Sequence, residues 1–319
     1  MNDQPISPEE STTPSTSRRN FLRRAGLASA VAAVAPAAAA LLLGEEDAQA
    51  VPATNIDADV LTFALNLEYL EAEFYLRAVT GTGIGENGGG ITGAGGTGTV
   101  TVKNNPKVNF TNSLVASYAA EIAQDELNHV NFLRTALSQA GATVIARPNI
   151  DLLNSFNTAA QAAGIGNSFD PYLNDVTFLL GSFIFEDVGV TAYIGAAKLI
   201  TNPAYLQAAA GILAVEAYHA GEIRAVLYNL ATEANSVQTY GLDIGDAVQR
   251  ISNLRGQVSN KPQKDQTIIA TNGANIVPAN LRTSVAFARN TRQVLDIVYG
   301  ANKASQGLFF PNGLNGNIR

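Results

Sequence analysis

The chain has no cysteine and no tryptophan, and its one methionine is Met1. The missing cysteine excludes disulfides, thiolate zinc sites, iron–sulfur clusters and thiol catalysis together. Beyond Met1 the chain holds no sulfur, the element that proteins oxidise first. Two readings of that stay open: tolerance of peroxide or desiccation stress, and drift in an Ala- and Gly-rich sequence. Charge is also scarce. Only 15% of residues are charged, with 20 Lys and Arg against 27 Asp and Glu, for a net charge of −7. An acidic chain of this kind argues against nucleic-acid partners. With two histidines among 319 residues, any chemistry that needs imidazole must use those two.

What is present first is a leader. Ser17-Arg18-Arg19-Asn20-Phe21-Leu22-Arg23-Arg24 precedes an apolar run from Ala25 to Leu43 and then Ala48-Gln49-Ala50. This order predicts a twin-arginine export signal over residues 1–50, with cleavage near Ala50 and a periplasmic or extracellular destination. A transmembrane anchor fits less well, because the run is Ala-rich, is broken by Pro36 and Gly44, and ends at a small-residue cleavage site. No stable membrane anchor is therefore expected after cleavage. Losing the four Arg and six acidic residues of that leader leaves a net charge of −5. Twin-arginine export carries folded proteins, a route that often goes with metals or cofactors inserted before translocation.

Four long helical patterns follow. The first runs from Asn55 to about Val79, with Leu61, Ala64, Leu65, Leu67, Leu70, Phe74 and Leu76 at helical spacing and Asp57 as a cap. Residues 80–111 are Gly-rich and predict a surface insertion with a short hairpin around Val100; no G-K-[ST] closes a phosphate loop there. Helix two is predicted over Thr111 to Gln139, then a connector with Pro148, Gly164 and Gly166. Helix three opens at Asp170-Pro171 and runs to about Ile200, and helix four runs from Pro203 to about Leu230. The pattern predicts an all-α four-helix bundle over residues 51–233. Residues 234–319 are rich in Gly, Asn, Pro and Gln, with helical pattern only near Asp243 to Leu254 and Ser284 to Tyr299. This irregular C-terminal extension ends in Gly307-Leu308-Phe309-Phe310-Pro311-Asn312-Gly313-Leu314, whose apolar residues should pack either on the bundle or on a second copy in a homo-oligomer.

Both histidines follow a glutamate by three residues inside long helices, in Glu126-Leu127-Asn128-His129 and Glu216-Ala217-Tyr218-His219. At about 100° per residue that spacing puts carboxylate and imidazole on one face, two adjacent ligands for one metal. Helices one and three should each add a bridging carboxylate. Glu68 is followed seven residues later by Tyr75 and Glu186 seven later by Tyr193, about two turns in each case. Glu68 to Glu126 spans 58 residues and Glu186 to Glu216 spans 30, a difference that the Gly-rich insertion accounts for. The chain therefore reads as an internal repeat. Glu71 and Glu73 compete with Glu68 for its role, and Glu71 shares its face. Tyr75 and Tyr193 are read as core or ligand-supporting residues, and Asp125 as the partner for a histidine's outer nitrogen, a task its counterpart Val215 cannot perform; Asp187 and Glu222 are weaker candidates.

This arrangement resembles the ferritin-like superfamily of di-iron and di-manganese carboxylate proteins, whose bundles use one Glu from each of two helices and E-x-x-H from the other two. The resemblance covers about Asn55 to Leu230 and implies that Glu68, Glu126, His129, Glu186, Glu216 and His219 hold two iron or two manganese ions. Leu67-Glu68-Tyr69-Leu70-Glu71-Ala72-Glu73-Phe74-Tyr75 and the Phe-Phe-Pro-Asn-Gly tail are similar to the desiccation-related subgroup. Four carboxylates and two neutral imidazoles suit Fe(II) or Mn(II), and four negative charges balance two divalent ions. The implied activity is oxidation of Fe(II) or turnover of peroxide, with dioxygen or peroxide as the small-molecule substrate. The other reading is a non-enzymatic protective protein of the envelope in which metal staples the bundle. A storage cage fits poorly, since the insertion and tail would have to lie between packed subunits.

Overall fold

Four long helices carry the fold of a computed structural model that describes residues 55–271 and 273–319; the predicted export signal lies outside the described residues. Helix α1 is Asn55–Thr80 and α2 is Ser113–Gln139. A shorter α3, Asn154–Ala163, precedes α4, Asp175–Ala197, and α5, Pro203–Thr232. Helix α1 packs chiefly on α2, and α4 on α5, with the two pairs facing each other. Among the described residues the fold is all-α apart from short two-residue strands. Helix α4 is apolar and long enough to cross a membrane, yet most of it is buried in the bundle.

Local chemistry explains where the helices start. Asn112 caps α2 by accepting from the backbone N–H groups of Leu114 and Val115. Asn174 and Thr177 form a reciprocal capping box at α4, which is why that helix begins at Asp175 and not at Asp170 as the Asp-Pro step suggested. Asp170 instead closes a turn, accepting from Tyr172 N at 2.9 Å and from Lys103 Nζ at 2.5 Å. Asn202 accepts from Ala204 N and caps α5, with Pro203 in the first turn where its missing N–H costs nothing.

The two halves clamp each other through equivalent residues. Asp57, at the start of α1, accepts from Thr201 N at 2.7 Å, Thr201 Oγ1 at 2.9 Å and Asn202 N at 3.1 Å, before α5. Asp175, at the start of α4, accepts in the same way from Thr111 N at 3.0 Å, Thr111 Oγ1 at 2.7 Å and Asn112 N at 3.1 Å, before α2. Each carboxylate thus meets the amide-rich end of a helix belonging to the other half, where negative charge is favoured.

The Gly-rich insertion lies largely at the surface but forms no hairpin around Val100. Strand β1, Val100–Thr101, pairs in parallel with β2, Ile150–Asp151, so the insertion is stitched to the segment that follows α2. The approach is close enough to require glycine: a Cβ at Gly98 would lie 2.3 Å from Asn149 N, and one at Gly93 would lie 2.4 Å from Val144 O. Glu73 joins this layer, accepting from Arg147, from Arg77 Nε at 2.9 Å and from Ile84 N at 3.4 Å.

The extension wraps the same chain's bundle. It contains α6, Ser236–Tyr240, α7, Ile244–Val258, a 3-10 turn at Pro262–Lys264, the antiparallel strands β3, Ile269–Ala270, and β4, Gly273–Ala274, and α8, Thr291–Val298. A buried ion network holds it. Asp187 on α4 accepts from Arg224 Nη1 at 2.8 Å and from Arg255 Nη2 at 3.0 Å, and Asp265 pairs with Arg255 and Arg289. Phe309 closes the far side, with its ring centroid 5.0 Å from Phe185 and 5.3 Å from Phe156.

Candidate metal centre

Helical periodicity places Glu68 on α1, Glu126 and His129 on α2, Glu186 on α4 and Glu216 and His219 on α5, and the bundle turns all six inward. All are buried; His129, at 7%, is the most exposed. They gather into two groups that share Glu126: Glu68, Glu126, His129 and Glu216 in one, and Glu126, Glu186 and His219 in the other. Within each group the ligand atoms lie within 4.8 Å of one another. His129 Nδ1 is 3.1 Å from Glu68 Oε2, 3.5 Å from Glu126 Oε2 and 3.9 Å from Glu216 Oε1. His219 Nδ1 is 3.2 Å from Glu126 Oε1 and 3.4 Å from Glu186 Oε2. The two imidazole centroids stand 6.3 Å apart.

The sharing pattern differs from the one expected. Glu68 and Glu186, read from the sequence as bridging, each belong to one group, while Glu126 presents one oxygen to each histidine. The geometry follows from the helix pairs: Glu126 lies between the two rings, whereas each single glutamate approaches from the flank beside one histidine.

The tyrosines connect the halves crosswise. Tyr75 of α1 donates to Glu186 Oε1 of α4 at 2.5 Å, and Tyr193 of α4 donates to Glu68 Oε1 of α1. Both hydroxyls are held well above their usual pKa, by burial first and by the carboxylate each one faces, so they stay protonated donors. Asp125 Oδ2 lies 3.3 Å from His219 Nε2, on the ring of the opposite half; this fixes the outer nitrogen as the protonated one and leaves Nδ1 toward the centre. Asp187 is not a ligand support. It anchors the extension through Arg224 and Arg255. Glu222 stands near His219 without a hydrogen bond to it. Glu73 is taken by Arg147 and Arg77, which removes it from the contest with Glu68.

Electrostatically the centre is overfilled with acid. Burial pushes the Glu68 carboxyl up to about 7 despite His129 beside it. Burial and neighbouring carboxylates drive Glu71 and Glu216 well above the usual range, and burial raises Glu186 against the pull of His219. Glu126 goes the other way: burial would raise it, but the flanking imidazoles outweigh burial and hold it below the ordinary value. His129 and His219 are both raised, since the carboxylates around them outweigh the burial that would lower them.

Both carboxylate oxygens of Glu126 and of Glu216, together with Glu186 Oε2 and His219 Nδ1, are buried with no hydrogen-bond partner. Unpartnered buried oxygens are costly, and a set of them facing one space with imidazole nitrogen is a donor set for divalent cations. The residues present therefore fit iron or manganese.

Beside this set stand Glu71, which the sequence offers as a competitor for Glu68, and Gly189, which went unread there. Gly189 occupies in α4 the place that Glu71 holds in α1, each three residues after a single glutamate. A Cβ at Gly189 would lie 2.1 Å from Glu216 Oε2 and 3.6 Å from Glu71 Oε1. The signal was the constant offset of 118 residues that also relates Glu68 to Glu186 and Tyr75 to Tyr193.

Comparison with known proteins agrees with this architecture. A family model described as a ferritin-like domain matches residues 56–229. The desiccation-related protein PCC13-62 of Craterostigma plantagineum is 32% identical over 273 residues, covering 82% of this chain and 83% of that protein. The ferritin-like catalase Nec2 of Nesocodon mauritianus is 27% identical over 273 residues, covering 82% of this chain and 84% of that one. No solved structure matches the chain.

Proposed function

The chain belongs to the ferritin-like family, and from that premise we propose that it holds two iron or manganese ions between its paired glutamates and histidines and turns over peroxide. The observation that carries this reading is the sharing of Glu126 by two buried ligand groups, with the inward oxygens of Glu126, Glu186 and Glu216 lacking hydrogen-bond partners. Two such ions, when bound at a fixed separation, can exchange a pair of electrons with one peroxide molecule. Glu68, His129 and Glu216 would hold one ion and Glu186 and His219 the other, with Glu126 common to both groups. Tyr75 and Tyr193 fix the single glutamates by donating to their outer oxygens, and Asp125 fixes the tautomer of His219. Burial of every ligand keeps bulk water from the reacting atoms.

Peroxide disproportionation is favoured over Fe(II) oxidation by similarity to a protein named as a catalase and by the absence of sulfur beyond Met1, which leaves peroxide no thiol or thioether in the bundle. Export by the twin-arginine route to the periplasm or exterior belongs to the same proposal, and its support is the Arg18-Arg19 leader. A second reading, a desiccation-linked structural protein with a stapling metal, is favoured by the 32% identity to a desiccation-related protein. Counting metals in the purified chain and in a Glu126→Ala/His129→Ala variant tests the centre: about two ions per chain are expected, lost in the variant. Loss of peroxide turnover with little loss of melting stability on metal removal supports catalysis. A large stability loss with no turnover at any metal load supports the staple.

A further inference from the structure

Ligand burial leaves open how anything reaches the centre. Between α1 and α4 lies an inner cavity of about 20 Å³, walled by Leu67, Leu70 and Val188 among others, with Glu71 its one charged lining residue. Gly189 lines the same cavity, and the missing side chain there leaves Glu216 Oε2 directly behind it. A larger, almost wholly apolar cavity of about 70 Å³ lies between α3 and α7, with exposed Thr158 and Ala162 at its rim. The two cavities share three wall residues, Ile184, Ile297 and Phe309. The last two come from the C-terminal extension, outside the bundle that supplies the ligands.

The geometry points to an entry route for a small uncharged molecule of dioxygen or peroxide size: in at the α3–α7 face, past a constriction formed by Phe309 and Ile297, and along the inner cavity to Glu71, Gly189 and the Glu216 carboxylate. Apolar walls exclude ions through desolvation while passing small neutral molecules. The extension then serves the centre as its gate. This route rests on the metal reading above.

The test uses nitric oxide, a neutral diatomic probe, mixed by stopped flow with the iron-loaded full chain. Val188→Phe, which narrows the inner cavity, should slow association at least tenfold, and Phe309→Leu, which opens the constriction, should speed it severalfold, both with wild-type metal counts. Unchanged rates in metal-loaded Val188→Phe and Phe309→Leu would overturn the route; if Val188→Phe does not fold, the Phe309→Leu rate decides alone. If the wild-type chain takes up no metal, the metal reading fails, and xenon-pressurised crystals of the metal-free chain test the route alone. Xenon in the inner cavity would support it, and xenon confined to the outer cavity would overturn it.

Discussion

Replacing Gly189 by alanine separates the stability of the helix from the integrity of the centre. The added methyl carbon would lie 2.1 Å from Glu216 Oε2 and 3.0 Å from its carboxyl carbon. Ordinary carbon contacts begin near 3.5 Å, so the carboxylate must retreat by roughly 1.4 Å. The clash falls on the tip of a flexible side chain and leaves the backbone where it is. Meanwhile alanine in a helix interior is favoured over glycine by about 1 kcal/mol. The metal-free Gly189→Ala chain should therefore melt at the wild-type temperature or about 2–4 °C above it. Metal binding should suffer instead. Metal–carboxylate bonds are about 2 Å long, so a ligand displaced by more than 1 Å is a ligand lost. Glu216 belongs to the His129 group, and affinity there should fall by about 10–100-fold or more, leaving one ion per chain where two are expected in the wild type. Elemental analysis after gel filtration, beside a thermal melt of the metal-free forms, reads both quantities. Two tightly held ions in Gly189→Ala would refute the placement of Glu216 as a ligand.

Three further outcomes follow from the geometry. Tyr75→Phe should weaken the ion beside His219, and Tyr193→Phe the ion beside His129, because each tyrosine bonds the glutamate of the opposite half; about 1.5–3 kcal/mol is expected for each charge-assisted bond, and paramagnetic shifts of the two histidine rings would show which position is affected. The metal-free chain should lose stability as pH rises from about 5 to 8: Glu68 is raised from 4.5 to about 7 and both histidines are raised above 6.5, so the folded state holds protons that the unfolded state has released. Glu126 is lowered and acts only below pH 4.5, so it leaves that slope unchanged, and a urea midpoint flat or rising across this range would contradict the picture. Asp187→Asn strips the buried guanidinium groups of Arg224 and Arg255 of their shared carboxylate and should cost about 3–5 kcal/mol in denaturant unfolding, with early proteolysis in residues 234–319 as its signature; a change under 1 kcal/mol would show that the network does not hold the extension.

The long helices were legible because each carries more than twenty residues of one period, and the buried cluster of carboxylates and imidazoles was legible because only two histidines exist and both follow a glutamate by three. Less was readable where a residue's role depends on a distant partner. Asp170-Pro171 looks like a helix start until Asn174 and Thr177 offer a better cap. Helix α3 has ten residues, too few for periodicity to stand out, and its buried face is Ser155, Phe156, Ala159 and Ala160. Glu73 looks as eligible as Glu68 along the sequence, and only Arg147, 74 residues away, removes it. The parallel pairing of residues 100–101 with 150–151 has no local signature, since a two-residue strand takes its partner from the fold. The repeat itself was visible in spacing, but its full extent was not. The offset of 118 between Glu68 and Glu186 also relates Asp57 to Asp175, and the offset of 90 between the E-x-x-H pairs also relates Thr111-Asn112 to Thr201-Asn202.

Those offsets turn the departures from symmetry into functional statements. Two equivalent halves would build two equivalent metal positions, each with the same donors and the same surroundings. Here the equivalence is kept in the clamps, the tyrosines and the ligands, which are the parts that hold the centre together. It is broken at two places that touch the centre. Asp125 supports His219 from outside, while Val215, at the matching place, has no carboxylate to offer His129. Glu71 brings a further acid to the edge of the centre on α1, while Gly189, at the matching place on α4, brings no side chain and lets the Glu216 carboxylate approach the backbone closely. One group gathers four residues and the other three. A pure staple gains nothing from such a difference, because stability depends on the sum of the contacts. A site that must admit and orient one small molecule needs a side that is open and a side that is not, and the break between Glu71 and Gly189 lines the inner cavity proposed to admit it.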